Sequence, residues 1–252
     1  FQLKQDFLQV SSLKNAKRSK DKSIYNFIKW RYLLTTGNQA SFYDYKFFID
    51  RNNQYPRIDR LRYLAEHKLS TSKVSPKKIL DIGALDGRWS QCAKTVFTDC
   101  EILMIEANQD MEHVLKQTGF GYYITALSDS VKKTNYYKLP GHAGNSLYYE
   151  KNSINPEINA LETTTLDHLI DKNEIFNFIK LDVQGSELDI LRGGKDFMTK
   201  ADFILTECSL VEYNLGAPSF EDQLDFFNEN NFSMIDIVDL LYDKNGKLLQ
   251  LD

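Results

Sequence analysis

Residues 78–107 read KILDIGALDG RWSQCAKTVF TDCEILMIEA, and this stretch decides the fold. KILDIG (78–83) and EILMIEA (101–107) are apolar runs of strand length, and RWSQCAKTVF between them has the spacing of an amphipathic helix. Two strands joined through a helix pair in parallel, because a crossover of that length is needed to return the chain to the same end of a sheet. The turn Asp81-Ile82-Gly83-Ala84-Leu85-Asp86-Gly87 places two glycines after the first strand. Glycine there lets the backbone approach a ligand closely, and the helix that follows offers unpaired N–H groups.

Outward from this unit the alternation continues. A helix QDMEHVLKQTG (109–119) leads to a strand GYYITALS (121–128). It resumes with strand FNFIKLDV (176–183), helix SELDILRGG (186–194), strand ADFILTECSL (201–210) and helix SFEDQLDFFNENN (219–231). FSMIDIVDL (232–240) and KLLQLD (247–252), joined through YDKNG, read as a closing antiparallel hairpin. The pattern predicts a Rossmann-like α/β domain over 78–252, with a mostly parallel sheet covered by helices on both faces. An insertion at about residues 129–175 holds a candidate hairpin TNYYKL, a glycine-bearing loop GHAGNSLYYE and a short helical piece TTLDHLI. Long insertions inside compact domains usually serve function or are disordered.

The chain has 252 residues, 42% hydrophobic and 26% charged, which excludes disorder as its default state. Mean hydropathy is -0.44, and no uncharged apolar run approaches the roughly 20 residues of a membrane span. Net charge is -4, but residues 1–78 carry +11 and residues 79–252 carry -15. Residues 1–77 read as a basic, helical N-terminal subdomain, with Ile24, Phe27, Ile28 and Leu34 and then Ile58, Leu61 and Leu64 at helical spacing. Aromatics such as Trp30 and Tyr32 interleave the basic residues, a texture suited to RNA, to a phosphorylated glycan or to an acidic partner. No recognised RNA-binding signature is present, so nucleic acid is the less favoured partner; a homo-oligomer stays open. Cys92, Cys100 and Cys208 give an odd count without C-x-x-C spacing, which fits thiols in a reducing compartment. The chain begins at Phe1 and reads as a fragment or processed product of a cytoplasmic protein.

Acidic residues recur where the strands end. Glu106 lies 25 residues beyond Asp81, where a carboxylate can accept both vicinal hydroxyls of a ribose. Ser128 and Asp129 follow the third strand, and Asp182 and Glu207 the next two. In an open α/β sheet that edge is where ligands bind. A dinucleotide fingerprint needs its outer glycines five apart, whereas Gly83 and Gly87 are four apart. That spacing resembles the D/E-x-G-x-G-x-G turn of S-adenosylmethionine methyltransferases, with Leu85 at the middle glycine.

Residues 179–194, IKLDVQGSELDILRGG, resemble the long hallmark I-K-x-D-V-E/Q-G-x-E-x-x-x-L-x-G of the FkbM-type methyltransferases. ILDIGALDGRWS, MIEANQD, TALSD, TTTLDHLI and ILTECS match further segments of that family, Ala107 standing where the family has proline. The resemblance covers about residues 78–252. It implies a class I methyltransferase fold that binds S-adenosylmethionine and methylates a hydroxyl, usually of a sugar or polyketide-like small molecule. By position, Asp81, Gly83, Ala84 and Gly87 would line the methionine end, Glu106 and Ala107 the ribose, and Ser128 and Asp129 the adenine. Asp182 would face the donor methyl and the acceptor.

An alcohol is a poor nucleophile at neutral pH, so a general base or a divalent cation should assist. Asp182, Glu207 and the loop histidine His142 are the candidates, with Glu187 equally readable as a helix-start partner. Asp182 and Glu207 could also share a metal, which the sequence does not assign. Trp89 is expected to pack the first helix onto the sheet. Two other readings remain, an RNA methyltransferase using the basic arm and a binding module without turnover.

Overall fold

The computed structural model describes residues 61–62, 65, 75–139, 144–153, 155–238, 240–242 and 247–251, all within the compact unit Gln54–Asp252. The basic subdomain expected over residues 1–77 lies almost wholly outside them.

The first half runs β1 (Lys78–Ile82), α1 (Arg88–Val96), β2 (Glu101–Glu106), a 3-10 turn at Gln109–Met111, α2 (Glu112–Thr118) and β3 (Gly121–Ile124). Then come β4 (Ala126–Leu127), β5 (Lys133–Lys138), β6 (Glu157–Thr164) and α3 (Leu166–Leu169). The second half runs β7 (Phe178–Leu181), α4 (Glu187–Arg192), α5 (Lys195–Met198), β8 (Phe203–Thr206), β9 (Cys208–Ser209), α6 (Phe220–Glu229), β10 (Leu240–Tyr242) and β11 (Leu248–Leu251).

Five strands form one parallel sheet in the order β3-β2-β1-β7-β8. β1 is central, and the chain builds leftward to β3 before it returns to β7 on the other side. The order therefore reverses between β1 and β7, the switch point at whose carboxyl ends open α/β sheets bind their ligands. Both faces are covered, as the unbroken apolar runs demand. On one face Trp89 and Ala93 of α1 and Met111 and Leu115 near α2 pack on Ile79, Met104 and Phe178. Trp89 meets Phe178 with ring centroids 6.3 Å apart, so it does pin α1 to the sheet. Leu61, also buried, joins this cluster. On the other face α3, α4 and α5 supply Leu166, Leu188, Leu191, Phe197 and Met198 against Leu80, Ile82 and Ile179.

Three expected strands end differently. The strand expected over 121–128 stops at Ile124: Thr125 donates its N–H to Glu106 O (2.8 Å), and Ala126–Leu127 leave to pair with β6. The strand expected over 201–210 breaks at Glu207, beyond which β9 pairs with β11 instead of β7. Of the strand expected over 232–240, described residues 232–238 are irregular. There Asp236 turns its own carboxylate onto the Ile237 N–H (2.9 Å), a local bond that competes with a ladder. β10 and β11 close the chain as an antiparallel hairpin. In the insertion, TNYYKL is one strand, β5, antiparallel to β6.

Candidate active site

Gly83 leaves β1 with φ +77, and a Cβ on it would sit 1.8 Å from Asp182 O, so the turn lies directly against the tip of β7. Leu85 is also left-handed (φ 48) although it has a side chain. Its N–H is held by Glu106 Oε2 (2.8 Å), while Glu106 Oε1 accepts from Asn108 N–H (2.8 Å). One carboxylate thus fixes both the first turn and the chain after β2. Burial of Glu106 pushes its carboxyl up, against the pull of those two N–H groups and of Lys180. Tyr136 of β5 is buried beside it, its hydroxyl pushed above the usual tyrosine range first by burial and then by the Glu106 charge.

Asp81 stands beneath the turn. It is fully buried, accepts from Ser90 Oγ (2.6 Å) of α1 and pairs with Lys180 Nζ (3.0 Å). Lys180 also donates to Gly83 O (2.9 Å) and lies 5.8 Å from the Trp89 ring centroid. This buried cation holds two strand tips and the glycine turn in one arrangement. The sequence carried a signal for it, because a lysine inside the apolar run FNFIKLDV must find partners once buried.

Asp182 follows β7, its N–H donating to Ile82 O (3.1 Å) and its side chain 30% exposed. Glu207 lies on the neighbouring tip, 6% exposed. Gln184 Nε2 donates to both, to Asp182 Oδ1 (3.1 Å) and Glu207 Oε2 (2.6 Å). Burial opposes ionisation of Asp182, but Lys180 at 3.7 Å and hydrogen bonds from Glu207 and Gln184 outweigh it and hold the carboxyl below its ordinary range. Glu187 opens α4 with its carboxylate folded back to accept from Val183 N–H and Gly185 N–H. Burial pushes it up to about 7, and the Asp182 charge adds to that.

The structure therefore brings Gly83, Ala84, Glu106, Asp182 and Glu207 to adjoining strand tips, with Ala107 following Glu106. Gly87 turns inward, where a Cβ would meet Thr118 Cγ2 at 2.8 Å. Ser128 and Asp129 follow β4, not β3. Ser128 O lies against Gly193 at the far end of α4, and Asp129 is engaged by Lys132 (2.7 Å) and Ser130 (2.9 Å). In that segment Ile124 pairs with Glu106, whose main-chain carbonyl accepts from Thr125 N–H. His142 lies outside the described residues. Among the described residues no group of three or more His, Cys, Asp or Glu side chains could hold a metal ion. The cysteines are free thiols, and no described helix is long and apolar enough to cross a membrane.

The parallel order around β1, the antiparallel closing hairpin and the glycine turn facing carboxylate-bearing tips define a class I methyltransferase fold. The methyltransferase FkbM domain matches residues 81–234, more than half of the chain, and the protein belongs to that family. None of the curated proteins matches the chain. Among solved structures it is similar to a methyltransferase FkbM from Methylobacillus flagellatus (13% identity, TM-score 0.47), covering 96% of this chain and 58% of that one. It is also similar to a TehB-like SAM-dependent methyltransferase from Corynebacterium glutamicum (12% identity, TM-score 0.38), covering 96% and 97% of the two chains. A third is the plantazolicin methyltransferase BpumL in complex with SAH (13% identity, TM-score 0.38), covering 92% and 73%.

Proposed function

We propose that this protein transfers the methyl group of S-adenosylmethionine to a hydroxyl of a sugar, glycan or related small molecule. The observation that carries the reading is the Gly83 turn packed on Asp182 O with its Leu85 N–H fixed by Glu106, which sets a left-handed turn and two acidic strand tips side by side. The Gly83–Leu85 backbone, Glu106 and Ala107 would hold the adenosyl and methionine portions, and Asp182 would border the transferred group. When bound, S-adenosylmethionine supplies an electrophilic methyl on a sulfonium.

The remaining work falls to the chain. Glu106 keeps lone pairs beyond those given to Leu85 and Asn108, and these can accept ribose hydroxyls. Alignment of acceptor and donor is worth most of the barrier reduction in such a transfer. Asp182, held toward its ionised form and partly exposed at the tip of β7, takes the acceptor's proton as its oxygen is methylated, a contribution of roughly 10²–10⁴-fold.

The test is calorimetry with S-adenosylmethionine and S-adenosylhomocysteine, followed by labelled donor with pools of glycans, nucleotide sugars and RNA. Binding of both ligands and label in a carbohydrate pool are expected, with Asp182→Asn lowering kcat at least 100-fold at saturating donor. No binding removes the enzyme reading, and label in RNA moves the acceptor to nucleic acid.

A further inference from the structure

Gln184 is the one non-glycine residue at the tip of β7 held left-handed (φ 57), and it is followed by Gly185 at φ +107. A side chain is strained in that conformation, so the surroundings must impose it. They do so through its main-chain carbonyl, which accepts from Ser146 Oγ (2.7 Å) of the insertion and from Asn214 Nδ2 (2.6 Å) of the loop after β9. Those two segments are joined in turn: Lys151 N–H donates to Tyr213 O and Leu215 N–H to Tyr149 O, both at 2.8 Å. Two chain segments distant in sequence thus close on one peptide group.

The strained backbone aims the side chain. The Gln184 amide nitrogen has two hydrogens and spends them on Asp182 Oδ1 and Glu207 Oε2. We propose that Gln184 is the positioning residue of the Asp182–Glu207 pair, its bridging amide holding the two carboxylates in one arrangement at the strand tips and lowering the pair's affinity for a proton. The inference rests on the methyltransferase reading only for what the pair does, not for how it is held. The charged groups facing the pair are Lys180 of β7, Asp81 of β1 behind that lysine, and Glu187 at the head of α4.

Gln184→Met keeps the volume and removes both donors. In protein with 13C-labelled carboxyl groups, the lower apparent pKa of the pair is expected to rise by about one unit, a tenfold gain in proton affinity. A purely structural Gln184 would change the melting temperature and leave both titrations in place, and that result in folded protein overturns the proposal. Should Gln184→Met fail to fold, Ser146→Ala slackens the carbonyl clamp with the amide retained. A smaller rise in the same apparent pKa is then expected, and an unmoved titration again overturns the idea. S-adenosylhomocysteine calorimetry on the wild type runs alongside: loss of binding there defeats the methyltransferase reading, whereas the titrations decide the role of Gln184 by themselves.

Discussion

At Gly83 two separate demands meet, a left-handed backbone and the absence of a side chain, and they can be measured apart. Gly119 has nearly the same φ (+79) but faces open space, so Gly119→Ala should cost only the conformational term, about 1 kcal/mol. Gly83→Ala adds a methyl 1.8 Å from a main-chain oxygen that Asp182 cannot move without leaving its hydrogen bond to Ile82. Overpacking and strain together should cost about 3–5 kcal/mol in urea unfolding, with S-adenosylhomocysteine binding lost at temperatures where the variant still folds. Equal costs at the two glycines would mean that the turn does not press on β7. The glycine was legible from sequence because its spacing follows a strand. Its opposing atom was not, since nothing in residues 78–87 says which distant strand will lie beside them.

Among the elements, β1, β7 and α1 are joined by one buried ion pair. Lys180→Met leaves Asp81 fully buried with only Ser90 as partner, and an uncompensated buried charge costs about 3–5 kcal/mol. Asp81→Asn combined with Lys180→Met removes both charges, so the double variant should recover at least about 2 kcal/mol of that loss. Additive single costs in a denaturation cycle would show that the two side chains do not depend on each other. Element type was largely readable: the ends of β1, β2, β7 and β11 fall within two residues of the apolar runs that announced them. The breaks at Thr125 and Glu207 were not. GYYITALS and ADFILTECSL each have the length and texture of one strand, and what divides each is a choice of partner strand, β6 or β11, that only tertiary structure supplies. Gln184 was quoted within the hallmark yet passed over, because its importance lies in Ser146 and Asn214, some 30 to 40 residues away on either side.

For the whole molecule, the acidic excess of residues 79–252 is concentrated in part at the buried strand tips, and this sets how stability depends on pH. Glu106 and Glu187 are pushed up by burial, Glu187 to about 7. A carboxyl raised in the folded state keeps a proton that the unfolded chain has already released. Between the ordinary value of 4.5 and about 7, folding therefore takes up protons, and stability from Glu187 is full below that window and declines as pH climbs through it. Asp182 works in the opposite sense, since its lowered carboxyl contributes stability that is lost only when acid falls below its ordinary value of 3.8. These raised carboxyls weaken the protein as pH rises from 5 to 8, with Glu187 responsible for on the order of 2 kcal/mol of the decline. Glu187→Gln cannot ionise, and its carbonyl oxygen can still accept from Val183 and Gly185, so any lost hydrogen bond shifts its stability by the same amount at every pH. Urea unfolding at pH 5, 6, 7 and 8 should give a visibly shallower slope for Glu187→Gln than for the wild type. Two parallel curves would show that Glu187 is ionised in the folded protein throughout, and that the N–H groups around it outweigh its burial.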